Sequence, residues 1–173
     1  MIREAKRSWF TWDVLSNTAY LLGAILVAHG DGPTGYVFIA TMAFLTVGSA
    51  GYHAGLPRWN HMDVTGIYAV GIVLYLVTIM GTTVSAAGTM VAVAVPGAYL
   101  LRMEQLDVRM EVKIAALFVV VYATAFMFHG TSQYLMASVG VMVVALMVRR
   151  YDHGVWHVTS AVGLALLWIG VTP

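Results

Sequence analysis

GYVFIATMAFLTVGSAGYHAGLPRWNHMDVTGIYAVGIVLYLVTIM, residues 35–80, decides the fold. It contains two apolar runs, 35–56 and 62–80, parted only around the short break LPRWNH. Each run is about the ~20 residues an α-helix needs to cross a hydrocarbon core. Working outward, the same pattern recurs at 12–29, 83–101, 111–129, 132–148 and 153–172. The breaks are HGDGPTG, GTT, RMEQLDVRM, HGTSQ and RRYDH, all too short to let neighbouring helices run any way but antiparallel. The chain is therefore predicted to be an all-α, polytopic membrane protein, a single seven-transmembrane-helix domain over residues 1–173. MIREAKRSWF at the start is basic enough for the first part of a signal peptide. The run after it carries Asp13, Ser16 and Asn17 and leads into further spans, so it reads as the start of the first helix.

Composition agrees. Hydrophobic residues make up 60% of the chain and charged ones 10%, with a mean hydropathy of +0.82. Soluble domains carry about 25% charged residues. So much apolar surface cannot hide in one small core and must face lipid. A net charge of +1 gives no reason to expect nucleic acid as a partner. The chain has no cysteine, which excludes disulfides and thiolate metal sites; any metal must be held by histidine and carboxylate.

The basic residues test the span count. They are Arg3, Lys6, Arg7, Arg58, Arg102, Arg109, Lys113, Arg149 and Arg150. With seven alternating spans, all of them fall on the side of the N-terminus; six or eight spans would scatter them. The positive-inside rule then places the N-terminus in the cytoplasm and the C-terminus outside, and the compact loops suit a bacterial inner membrane. Trp9, Trp12, Trp59 and Trp156 cluster near the basic side as interfacial anchors, with Tyr36, Tyr134 and Trp168 serving the other face. Gly48, Ala50 and Gly51, like Ala86, Ala87 and Gly88, allow close helix approach, and Pro96 is expected to kink the fourth span.

Ionisable groups in a membrane helix come at a cost and mark function by default. His29 and His129 end spans on the uncharged side beside glycine and polar turns, and read as interfacial. The remaining histidines gather on the basic side. Ser49 and His53 are four apart and share one face of the second span, Asp63 opens the third, and His153 and His157 share a face of the seventh. Three helices thus bring polar groups to one level. Two histidines at i and i+4 with a third from another helix can hold a metal, and three histidines plus water is the open geometry of catalytic zinc. Such a water has its pKa lowered to about 7. Asp63 can serve as the base for that water or orient it, and Ser49 can donate a hydrogen bond to the water or to a substrate oxygen. The same residues also suit a buried polar network that only locks helices together. His61, two residues before Asp63, reads as an interfacial histidine in a wet turn or one able to swing into the site, and Trp156 as facing lipid or a neighbour. Ser160 reads as a cavity-lining candidate, and Asn17 and Tyr20 as packing residues.

GSAGYHAG, MDVTGIY and HGVWHVTSA resemble the motifs of the CREST superfamily, which includes alkaline ceramidases, progestin and adipoQ receptors and hemolysin III proteins. Ser49, His53, Asp63, His153 and His157 stand in that group's order, and Leu15-Ser16-Asn17 is similar to a Ser-Asn near its first helix. The resemblance implies a zinc ion (Zn2+) on His53, His153 and His157, with Asp63 and Ser49 as the catalytic residues around it. It further implies a hydrolase acting on the amide or ester bond of a lipid-like substrate such as a ceramide, with membrane lipid as partner. The alternative is a non-enzymatic receptor or signalling protein with a structural zinc. Only Glu4 and Asp13 occupy the region where the ceramidases bind calcium, so no calcium site is carried over. The cytoplasmic N-terminus is closer to the adipoQ-receptor and hemolysin III arrangement. No duplicated halves suggest a transporter. The lysines, Lys6 and Lys113, lie outside the seventh span, which excludes a retinal Schiff base there.

Overall fold

Backbone N–H and C=O groups in lipid must be satisfied within the chain, and a helix does this locally. The apolar runs accordingly become helices. A computed structural model of the protein describes residues 11–56, 59–81, 86–102 and 110–172. Arg3, Glu4, Lys6, Arg7, Trp9, Arg58 and Arg109 lie outside the described residues, as does the Pro96 side chain. The elements are α1 (Trp12–Leu15), α2 (Thr18–Ala28), α3 (Gly32–His53), α4 (Trp59–Met80), α5 (Ala86–Arg102), α6 (Met110–His129), α7 (Gln133–Val148) and α8 (His153–Val171). Together they form an all-α bundle. α3, α4, the Val112–His129 part of α6, and α8 are long and apolar enough to cross a membrane; Trp12–Ala28 and Gln133–Val148 are shorter apolar helical segments. Leu26, Val119, Met127 and Met147 stand exposed on the outer faces, as lipid-facing residues of a multi-pass membrane protein do.

α4 packs on α3, α5 and α6; α2 packs on α3 and α8; α7 packs on α8; and α1 touches both α3 and α8. Contacts at the two ends show how the helices alternate. At one end Trp12 meets Asp152, His53 meets His153, and Val64 packs with Met110. At the other, the Trp168 indole donates to Asp31 at 2.6 Å and His129 Nε2 donates to the Thr78 carbonyl at 2.9 Å. His129, expected to be merely interfacial, therefore ties α6 to α4. The core between the ends includes Phe38 stacked on Trp168 at 4.2 Å, with Met42, Leu74, Val77, Val121 and Leu167 fully enclosed. In lipid such contacts hold helices by packing rather than by a hydrophobic effect.

Two departures from the sequence reading matter for the site. The span 12–29, expected as one helix, is interrupted at Ser16 and Asn17. Both side chains turn back on the Asp13 carbonyl, Ser16 Oγ at 3.2 Å and Asn17 Nδ2 at 2.6 Å, and so compete with the backbone ladder. The span 35–56 is realised one turn earlier, as Gly32–His53. Pro33 sits in its first turn, where the missing N–H costs nothing. Its far end is a Schellman motif: Gly55 takes φ +86°, its N–H reaches the Tyr52 carbonyl, and the Leu56 N–H reaches that of Gly51. His53 is thereby the last helical residue, held on a fixed final turn.

Candidate metal centre

His53, His153 and His157 converge, each offering one ring nitrogen, and these atoms lie within 4.8 Å of one another. His53 Nε2 and His153 Nε2 are 3.1 Å apart. The ring of His157 is 5.0 Å from that of His53 and 4.6 Å from that of His153. His157 is fully buried, and its Nε2 has no hydrogen-bond partner. Among the described residues no fourth histidine or acidic group joins the trio.

Each ligand is placed by a local device. His153 opens α8 because Asp152, in an extended conformation at the N-cap, accepts from the Val155 N–H at 2.8 Å. The same carboxylate oxygen accepts from the Trp12 indole at 3.1 Å, which fastens α1 to the start of α8. The Val155 N–H, with help from Trp12 and the Gly154 N–H, holds the Asp152 carboxyl below the usual range. Gly154 makes room for the Trp12 ring, against which any Cβ would collide. His157 follows one turn after His153, on the same face. Its Nδ1 meets Ser16 Oγ at 2.9 Å, and the Asp13 carbonyl is also within reach of the ring.

Three histidine nitrogens with a buried, unpartnered lone-pair position fit a zinc ion, whose structural and catalytic sites accept neutral imidazole. The trio within membrane-length helices can therefore coordinate a metal. Of the other residues predicted for the site, Ser49 donates to the Asp63 carboxylate from the facing helix. Gly48 makes this possible, since a Cβ there would stand 2.9 Å from the Asp63 backbone nitrogen. Asp63 does not join the metal-holding group. His61 also stays apart from it, with its Nε2 buried and unpartnered.

Several other residues surround the trio, with Tyr20 packing as its sequence reading expected. Trp156 packs on the site: its ring is 4.8 Å from that of His153 and 5.0 Å from that of His157, with the Arg149 guanidinium over its face. Ser160 donates to the Trp156 carbonyl at 2.7 Å, so the Tyr20 hydroxyl must be the donor in their 2.7 Å contact. Tyr20 in turn sets its edge against His157. Ser16 had no assigned role in the sequence reading, although a Ser-Asn pair inside an apolar run is a usable signal for a helix interruption. A separate cavity of about 620 Å3 opens between α3, α4 and α5, lined by residues such as Phe44, Thr65, Ala69 and Val93. None of the three histidines lines it, and Thr65 lies two residues along α4 from Asp63. The chain matches no protein-family model, no curated protein and no solved structure.

Proposed function

We propose that this chain is a zinc-dependent intramembrane hydrolase of the CREST type, cleaving an amide or ester bond of a lipid-like substrate such as a ceramide. The observation that carries the reading is the convergence of His53, His153 and His157 with His157 Nε2 buried and unpartnered. A buried acceptor left unsatisfied costs about 1–3 kcal/mol, so the arrangement favours a bound cation. Three protein ligands also leave a position open, as catalytic rather than structural zinc sites do.

The proposed topology is seven spans with the N-terminus in the cytoplasm and the C-terminus outside. The basic residues then share the cytoplasmic face with the histidines, at the depth of the inner leaflet. Zinc bound by the trio would polarise a substrate carbonyl and acidify a water. Asp63 is assigned as the general base: its carboxylate takes the proton of the attacking water and returns it to the leaving amine or alcohol. Ser49 orients the carboxylate through its hydrogen bond. The apolar cavity on α3, α4 and α5 is suited to an acyl chain.

The test is metal content and turnover on purified protein. About one zinc per chain is expected, with fatty acid released from an N-acyl lipid, and both abolished by His153→Ala. Protein that binds no zinc overturns the reading. Zinc without turnover of any amide or ester lipid leaves a receptor with a structural metal.

A further inference from the structure

The interruption of the first span places a hydroxyl on the back of one histidine. Ser16 is 3% exposed and His157 0%, so water does not compete for either group. Ser16 Oγ is 2.9 Å from His157 Nδ1 and 3.2 Å from the Asp13 carbonyl oxygen. A carbonyl only accepts, so the Ser16 hydrogen is committed to Asp13. Ser16 Oγ is then left as an acceptor towards the ring, and Nδ1 must carry the ring proton. The Asp13 carbonyl is also within hydrogen-bond reach of the ring, and a carbonyl can only accept from a ring N–H. In a neutral imidazole, a proton on Nδ1 leaves a lone pair on Nε2. That is the buried nitrogen with no partner, and it belongs to the converging trio. The opposite tautomer would bury an Nε2–H with nothing to receive it.

We propose that Ser16 is a positioning residue of the three-histidine centre: it accepts a hydrogen bond from the His157 Nδ1–H and so presents Nε2 as a lone-pair donor to a divalent cation. This rests on reading the trio as a metal centre. The α1–α2 break is part of the device, because an unbroken helix would leave the Asp13 carbonyl to the backbone ladder. Asn17 grips the same carbonyl at 2.6 Å and steadies it. Ser16 acts on the centre through His157.

The experiment has two arms. In the first, full-length protein labelled with 15N-histidine is stripped of metal, and the His157 ring nitrogens are read by NMR at a pH where the ring is neutral. The wild type should show protonated Nδ1 and unprotonated Nε2, and Ser16→Ala should lose that preference. A wild-type ring protonated at Nε2 overturns the proposal, whether or not any metal binds. In the second, cobalt(II) replaces zinc, and affinity is read from its visible spectrum. Ser16→Ala should weaken binding by roughly 10–100-fold, the usual effect of an outer-shell partner, and Ser16→Thr should restore it. Unchanged affinity in Ser16→Ala overturns the proposal. Should Ser16→Ala fail to fold, the wild-type tautomer and the Ser16→Thr affinity still decide. A wild type that binds no cobalt counts against the metal reading alone, and the first arm then judges Ser16 separately.

Discussion

His53 Nε2 and His153 Nε2 face each other at 3.1 Å across two helices that are a hundred residues apart in sequence. At that separation one ring donates to the other or a cation stands between their lone pairs. Nitrogens bound tetrahedrally to zinc at about 2.0–2.1 Å lie about 3.3 Å apart, so little rearrangement separates the pair as it stands from a ligated one. Binding to the folded state alone stabilises it by mass action, by about 2.7 kcal/mol at a hundredfold excess over Kd. Zinc should therefore raise the melting temperature of detergent-solubilised protein, and a chelator should reverse the shift. His53→Ala, His153→Ala and His157→Ala should each remove the response. A zinc-induced shift that persists in all of these variants would place the metal elsewhere.

Asp63 receives a hydrogen bond from Ser49 but sits outside the metal-holding group. Asp63→Asn keeps shape and hydrogen bonding and deletes only the proton acceptor. If Asp63 is the general base, kcat on a lipid amide should fall by roughly 10²–10⁴-fold, the usual worth of positioned acid–base catalysis. Zinc affinity should stay near wild type. A variant that hydrolyses at the wild-type rate excludes Asp63 as base, and one that loses its zinc makes Asp63 a ligand instead.

The all-α bundle with several apolar helices long enough to cross a membrane was legible because the membrane imposes a length and composition that the sequence cannot disguise. The histidines were legible because i and i+4 spacing fixes a shared face without any tertiary information. Position 16 was not legible in the same way. A serine in an apolar run can bond its own helix, a neighbouring helix or nothing, and only the fold brings it to His157. Trp156 is different: His153 lies three residues before it and His157 immediately after it on α8, so its contact with two ligands is local and was readable from spacing. The Ser49–Asp63 contact was half legible: both residues stood at matching depth, but their meeting depends on Gly48, whose lack of a side chain admits the α4 backbone.

That close approach can be tested by stability. A Cβ at Gly48 would lie 2.8 Å from the Met62 carbonyl carbon and 2.9 Å from the Asp63 nitrogen, both backbone atoms that cannot swing aside. Gly48→Ala should push α3 and α4 apart and destabilise the protein by about 1–3 kcal/mol, as overpacking does. Gly140 on α7 has nothing within 4 Å of its Cβ position, so Gly140→Ala should be neutral or slightly stabilising. Denaturant or thermal unfolding of the two variants side by side checks the contrast. Equal stabilities would mean that the α3–α4 packing yields easily.

Asp152 links the start of α8 to α1 through Val155 and Trp12, and its carboxyl is held below the usual range chiefly by the Val155 N–H. A carboxyl whose folded pKa is depressed contributes stability while ionised. That contribution is complete above its unfolded value near about 3.9 and disappears as pH falls through the lower folded value. Asn at this position still caps a helix but carries no charge. Metal-free wild type should therefore melt above Asp152→Asn at about pH 6, and the two should converge as pH drops below about 4. Metal is left out so that protonation of the histidine trio does not enter the comparison as lost zinc. A gap that stays constant down to the acid limit would show that shape, and not the charge of Asp152, anchors the turn that carries His153.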